Sequence, residues 1–172
     1  ATPSPDQSYM VKFAGLNLNF PATYRAELVI KTGFSSTAAD TTGPFTVHQI
    51  LKDWSLATTY SSLDSNGDPT VNGPVELQAG GMIAPAAATV TGANDTEVMY
   101  IDVTSIVENW RAGQPNYGFY IGTANPTEGG TNNGWQIFLT GAGDTSFRPE
   151  LRIIGVPEPA AACLLLAGVA LM

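Results

Sequence analysis

The chain has 172 residues, of which 13% are charged, with 18 glycines, 12 prolines and a formal net charge of −8. That length supports one domain with its own core, and 44% apolar content excludes a disordered chain. Seven Lys and Arg with no basic cluster exclude nucleic acid and anionic membrane surfaces as partners, since both need a basic patch.

In chain order, residues 1–8 are polar with two prolines and read as an N-terminal arm. A body follows over 9–155. Tyr9-Met-Val-Lys-Phe13 reads as a strand, and Ala26 to Thr32 as a second, with Ala26, Leu28 and Ile30 on one face. Phe45 to Leu51 is a third, placing Phe45, Val47 and Gln49 together. Asp53 to Tyr60 leads into Ser61 to Thr70, which is dense in turn residues. Val75-Glu-Leu77 and Ala88-Thr-Val-Thr91 are short strand candidates, and Glu97 to Val103 is a clear strand. Val103, Ile106, Val107 and Trp110 fall on one helical face, which predicts a helix over Ser105 to Ala112. Ser105 and Glu108 have capping-box spacing, and Gly113 is a natural stop. Tyr117 to Gly122, Trp135 to Leu139 and Glu150 to Ile154 complete the strands, with a Gly/Asn/Thr-rich loop over Gly122 to Gly134. About eight strands, one short helix and no βαβ alternation predict an all-β fold, an antiparallel sandwich or jelly roll.

Chemistry-bearing residues are sparse. The single histidine, His48, lies in a predicted strand and reads as a surface or satisfied core group rather than a base. No nucleophile elbow, CxxC, HExxH or phosphate loop is present. Asp102 and Glu108 resemble a carboxylate pair, but the helix makes them corner and cap residues. The expected role is therefore non-enzymatic, with no catalytic residue and no cofactor beyond a structural calcium. Asp64, Asn66 and Asp68 alternate around Gly67 like half of a calcium loop, but position 12 is Val75, with Glu76 one place later; a polar turn is the competing reading. Saccharide binding needs aromatic platforms beside amides. Trp135 with Asn132 and Asn133, and Tyr117 with Asn116, are the candidates, whereas Trp54 and Trp110 read as core. Asn94-Asp-Thr96 fits a glycosylation acceptor pattern.

The C-terminal segment, 156–172, is Val156-Pro157-Glu158-Pro159 followed by thirteen apolar residues, including Leu164, Leu165, Leu166, Val169 and Leu171, and the only cysteine, Cys163. A membrane span needs about 20 apolar residues, so the run is short for one. An intrachain disulfide is excluded. The Pro-Glu-Pro and apolar run resemble the PEP-CTERM sorting signal of Gram-negative bacterial surface and matrix proteins; the basic cluster that ends that signal is not in this sequence. The resemblance implies export, an exosortase as a transient partner, and an extracellular or cell-surface destination. No signal peptide is visible, and Ala1-Thr-Pro3 is compatible with a mature N-terminus.

The body also resembles a family. Met10 to Leu16, Ala22 to Ile30, Val47 to Tyr60, Tyr100-Ile-Asp-Val-Thr-Ser-Ile-Val-Glu-Asn-Trp-Arg-Ala-Gly113, Asn116 to Ile121 and Arg148-Pro-Glu-Leu-Arg-Ile-Ile154 are similar to the DNRLRE domain. That implies a jelly-roll sandwich of secreted proteins, generally non-catalytic and overlapping a carbohydrate-binding-module family. Family members usually carry more strand sequence at the front. The expectation is that an apolar tail fills the resulting gap, in the next subunit or in its own. Between subunits, strand addition would build a homopolymeric filament, because a head-to-tail contact need not close. The leading function is thus a self-assembling structural protein of the bacterial surface or biofilm matrix. The alternative is a carbohydrate-binding module that attaches to exopolysaccharide.

Overall fold

The computed structural model describes residues 9–21, 23–32, 45–55, 57–58, 74–90, 98–123 and 144–156. They form two antiparallel sheets. One has the order β1-β6-β3-β4, with β1 Tyr9–Val11, β3 Phe45–Ile50, β4 Ile83–Val90 and β6 Phe119–Thr123. The other has the order β5-β2-β7, with β2 Tyr24–Lys31, β5 Val98–Asp102 and β7 Glu150–Gly155. Each step between successive described strands changes sheet except β3 to β4. The chain is therefore an all-β sandwich.

Strand alternation builds the core. Tyr24, Ala26, Leu28 and Ile30 of β2 meet Phe45 and Val47 of β3 and Phe119 and Ile121 of β6 between the sheets. Helix α2, Thr104–Arg111, closes one end by inserting Ile106, Val107 and Trp110. Trp110 packs edge-on against Phe119, with ring centroids 5.0 Å apart. The burial of such rings and aliphatic chains contributes about 1.5–3 kcal/mol each. Trp110 is thus core as expected, whereas Trp54 is only half-buried.

The cap of α2 differs from the expected box. The helix starts at Thr104, Val103 is its N-cap, and no side-chain cap bond forms there. Instead the Thr104 N–H donates to Asp102 Oδ1 at 3.0 Å, and the Ala26 N–H donates to Thr104 Oγ1 at 2.9 Å. Threonine is thereby spent on tying the helix to β2, and the strand's last carboxylate takes the orphan donor. Gly113 does end the helix, at φ +100°.

Two short elements differ from expectation. Residues 74–79 form helix α1, Pro74–Ala79, not a strand. Proline suits the first turn of a helix. A strand would place Val75 and Leu77 on one face, yet Val75 is 70% exposed and Leu77 1%. Leu77 joins Ile50, Met82, Ile83 and Tyr120 in a second, smaller core on the outer side of the four-stranded sheet. β4 is longer than its predicted four residues and starts at Ile83. Its alanines and Pro85 give no strand signal. Proline is accepted there because β4 is an edge and its ladder with β3 is irregular between His48 and Ile50. Trp135 to Leu139 lie outside the described residues.

Candidate interaction surfaces

His48 sits on the outer side of β3, 3% exposed. Its Nδ1 lies 2.8 Å from the Ala84 carbonyl, which can only accept, so Nδ1 carries the proton. Nε2 then accepts from Thr46 Oγ1 at 2.7 Å. Burial lowers its pKa, opposed by the Ala84 carbonyl. With both nitrogens engaged and the ring edge-on to Tyr120 at 5.8 Å, His48 is a satisfied core group. Gln49 is likewise buried on the inner side, donating to Gln114 Oε1 and accepting from Asn109 Nδ2 at 2.9 and 2.8 Å.

The outer side of the three-stranded sheet is different. Arg25, Glu27, Tyr100, Asp102, Glu150 and Arg152 project there, and register sets Glu27 between Asp102 and Arg152, and Val29 between Tyr100 and Glu150. Arg25 bridges Glu27 at 3.1 Å and Asp102 at 3.6 Å, and Arg152 donates to Glu150 Oε2 at 2.9 Å. The Arg152 guanidinium also reaches across β2 to lie 5.6 Å from the Tyr100 ring. This strap explains why Glu27 and Val29 are buried on a water-facing side, through the stem of a long cation covering them. Asp102 titrates below the ordinary carboxylate range, chiefly because the Thr104 N–H donates to it. Tyr100 remains 55% exposed.

Sheet edges are the other surface. Val156 N–H donates to Thr23 O at 3.1 Å, extending the β2–β7 ladder. Antiparallel ladders alternate, so Glu150, Arg152 and Ile154 turn their backbone groups toward β2. Leu151, Ile153 and Gly155 turn theirs away. Val103 N–H donating to Ala26 O gives the complementary parity on β2. No described strand lies beyond β7. Leu151 and Ile153 point at the core yet stay half-exposed, and Ile154 and Val156 are each 44% exposed.

Of the sequence candidates, Tyr117 is half-buried against the second core. Its carbonyl accepts from Trp54 Nε1 at 2.6 Å, and Lys12 Nζ lies 5.5 Å from its ring centroid. Asn116 Nδ2 donates to Phe13 O at 2.9 Å. This pair is thus occupied with holding the 12–18 segment and the Trp54 turn to the sheet. Val156 is the first residue after β7. Asp64, Asn66, Asp68, Asn94, Asn132, Asn133, Trp135, Pro157, Glu158, Pro159, Leu164, Leu165, Leu166, Val169 and Leu171 lie outside the described residues. Tyr100 was not among the candidates. The alternation Met99 and Ile101 inward, Tyr100 outward was the signal that could have found it.

No protein-family model matches the chain, and no curated protein matches it.

Proposed function

We propose that this chain is a secreted, non-enzymatic structural subunit of a bacterial cell surface or extracellular matrix, which assembles into filaments through its apolar C-terminal segment. The observation that carries this reading is that β7, an edge among the described strands, is followed in sequence by Val156-Pro157-Glu158-Pro159 and the apolar run 160–172. A thirteen-residue apolar run needs a cover, and a partner subunit supplies one. The engagement of both His48 nitrogens supports a non-enzymatic role. Export, an exosortase as partner and a surface destination rest on the Pro157-Glu158-Pro159 tripeptide and belong to the same proposal, as does a structural calcium at Asp64, Asn66 and Asp68.

Electron microscopy of the secreted protein beside a variant truncated after Gly155 tests it. Filaments that vanish on truncation are the expected result. Monomers in both samples would overturn the assembly reading and leave the tail as a sorting signal.

A second reading, attachment to a neutral exopolysaccharide, is supported by Tyr100. An exposed ring flanked by Arg152, Arg25 and Asp102 offers a stacking surface beside groups able to bond hydroxyls. On this reading Tyr100→Ala abolishes retention on immobilised polysaccharide, with Trp135→Ala as the comparison. Unchanged retention in Tyr100→Ala would exclude this face.

A further inference from the structure

We infer that His48 and Thr46 form a buried proton-accepting relay, in which one turn of the Thr46 hydroxyl lets His48 take a proton from the medium without releasing β4. The inference rests neither on the C-terminal segment nor on the assembly reading above.

Three observations carry it. The first is the strand that His48 holds. Among the described strands β4 is an end strand of its sheet, Pro85 removes one of its amides, and its ladder with β3 shifts register on both sides of His48. Such irregularities re-aim side chains. Here His48 Nδ1 meets the Ala84 carbonyl at 2.8 Å, so a ring N–H ties β4 to β3 where the ladder is irregular. The second is the direction of the bonds. Nδ1 carries a proton in both charge states, because a carbonyl only accepts. The tie to Ala84 therefore survives protonation, and only Nε2 changes from acceptor to donor. Its partner is Thr46 Oγ1 at 2.7 Å, a hydroxyl that can do either. The third is where the hydroxyl proton then goes. The Gly122 carbonyl of β6 lies 3.5 Å from Thr46 Oγ1. That is long for an O–H···O bond, as expected while the hydroxyl points at Nε2. Once Nε2 bears its own proton, the hydroxyl turns to Gly122 and this contact tightens. Ala84, His48, Thr46 and Gly122 then link β4 through β3 to β6 with every donor placed.

The surroundings add little charge. Among the described residues, β4 has no titratable group, and β6 brings Tyr120, whose ring stands edge-on to His48 at 5.8 Å. β1 turns Met10 to this side and Tyr9 to the main core, Tyr117 packs on the same second core, and α1 carries Glu76. Burial lowers the His48 pKa and the Ala84 carbonyl opposes it, so the relay takes its proton in acid, below about pH 6.5.

An NMR titration of the untagged full chain tests this, and its single histidine makes the ring signals unambiguous. Ring nitrogen shifts are expected to show the Nδ1–H form at neutral pH and the doubly protonated form in acid, with β4 amides protected from exchange throughout. Thr46→Val removes the acceptor needed by the charged ring, whose bond is the stronger of the two, so the titration midpoint should fall further, by about half a pH unit or more. Thr46→Ser keeps the hydroxyl and should titrate with the wild type. A hydroxyl fixed as donor to neutral Nε2 predicts the opposite sign, a midpoint raised in Thr46→Val. A midpoint that rises or holds in Thr46→Val overturns the inference, and so does a Thr46→Ser midpoint that follows Thr46→Val. An Nε2–H form at neutral pH overturns it too, as does loss of β4 protection in step with protonation. A His48 that stays neutral until the sandwich unfolds has the same consequence. Far-ultraviolet circular dichroism verifies that each variant is folded.

Discussion

Replacing Gly118 by alanine isolates how closely β1 is pressed against β6. Gly118 has φ +94°, and a Cβ there would overlap the Val11 carbonyl oxygen, with the Val11 carbonyl carbon at 2.9 Å and Lys12 Cα at 3.0 Å. All three are backbone atoms, so no rotamer change relieves the contact. Gly113 supplies the control, with φ +100° and nothing within 4 Å of the added Cβ. Backbone strain of about 1–3 kcal/mol is common to both substitutions. Overpacking adds about 1–3 kcal/mol for Gly118→Ala only. Urea unfolding of Gly118→Ala and Gly113→Ala should therefore differ by about 1–3 kcal/mol at equal m-value. Since β1 meets β6 in three described register pairs, Tyr9 to Val11 against Ile121 to Phe119, its amides should also lose hydrogen-exchange protection in Gly118→Ala alone. Equal destabilisation with β1 still protected would refute the close approach.

Other expectations follow from single side chains. His48 is held neutral by burial, so its folded pKa lies below the unfolded value of about 6.5. Its contribution is complete above pH 6.5 and is lost as pH falls from there through the folded pKa, with a slope up to about 1.4 kcal/mol per pH unit; urea midpoints between pH 5 and 7.5 should show that slope in the wild type and not in His48→Gln. Leu77→Ala should cost about 2–4 kcal/mol, while Val75→Ala stays within about 0.5 kcal/mol; equal costs, by thermal melting, would mean that 74–79 is a strand and not α1. Arg111 donates to the Phe20 and Pro21 carbonyls at 3.1 and 3.4 Å, with its guanidinium 5.1 Å from the Phe20 ring. Arg111→Met should cost about 1 kcal/mol and speed proteolysis within 14–23, with Arg111→Lys failing to restore protection.

The parts of this fold legible in the sequence are those whose pattern is set locally and strongly. β2 alternates apolar and polar residues over Tyr24 to Leu28, β5 is a compact run rich in apolar and aromatic residues, and Ile106, Val107 and Trp110 of α2 share a helical face with Val103, so each is placed within two residues. β4 was half-missed because Ala86, Ala87 and Ala88 carry no periodicity and Pro85 argues against a strand. Only its edge position, a property of the whole sheet, makes proline acceptable. α1 was misread because Val75-Glu-Leu77 fits either period over three residues. The capping box failed for a tertiary reason, since Thr104 was needed by Ala26 of β2. The same limit governs the surface. Tyr100 facing outward follows from alternation, but its contact with Arg152, 52 residues later in the chain, depends on the order β5-β2-β7. Local sequence does not encode that order.

The two sheets divide the labour of folding and association unequally. The four-stranded sheet is covered on both sides, since β3 is buried at all six of its residues and the second core lies over its outer face. The three-stranded sheet keeps a water-facing side, held by ion pairs and the Arg152 strap, and ends in β7. Association is therefore expected near β7, an edge among the described strands and the last of them before the apolar segment. In the proposed assembly the tail joins subunits along a filament, so filaments should vanish on truncation after Gly155 while circular dichroism shows the sandwich still folded.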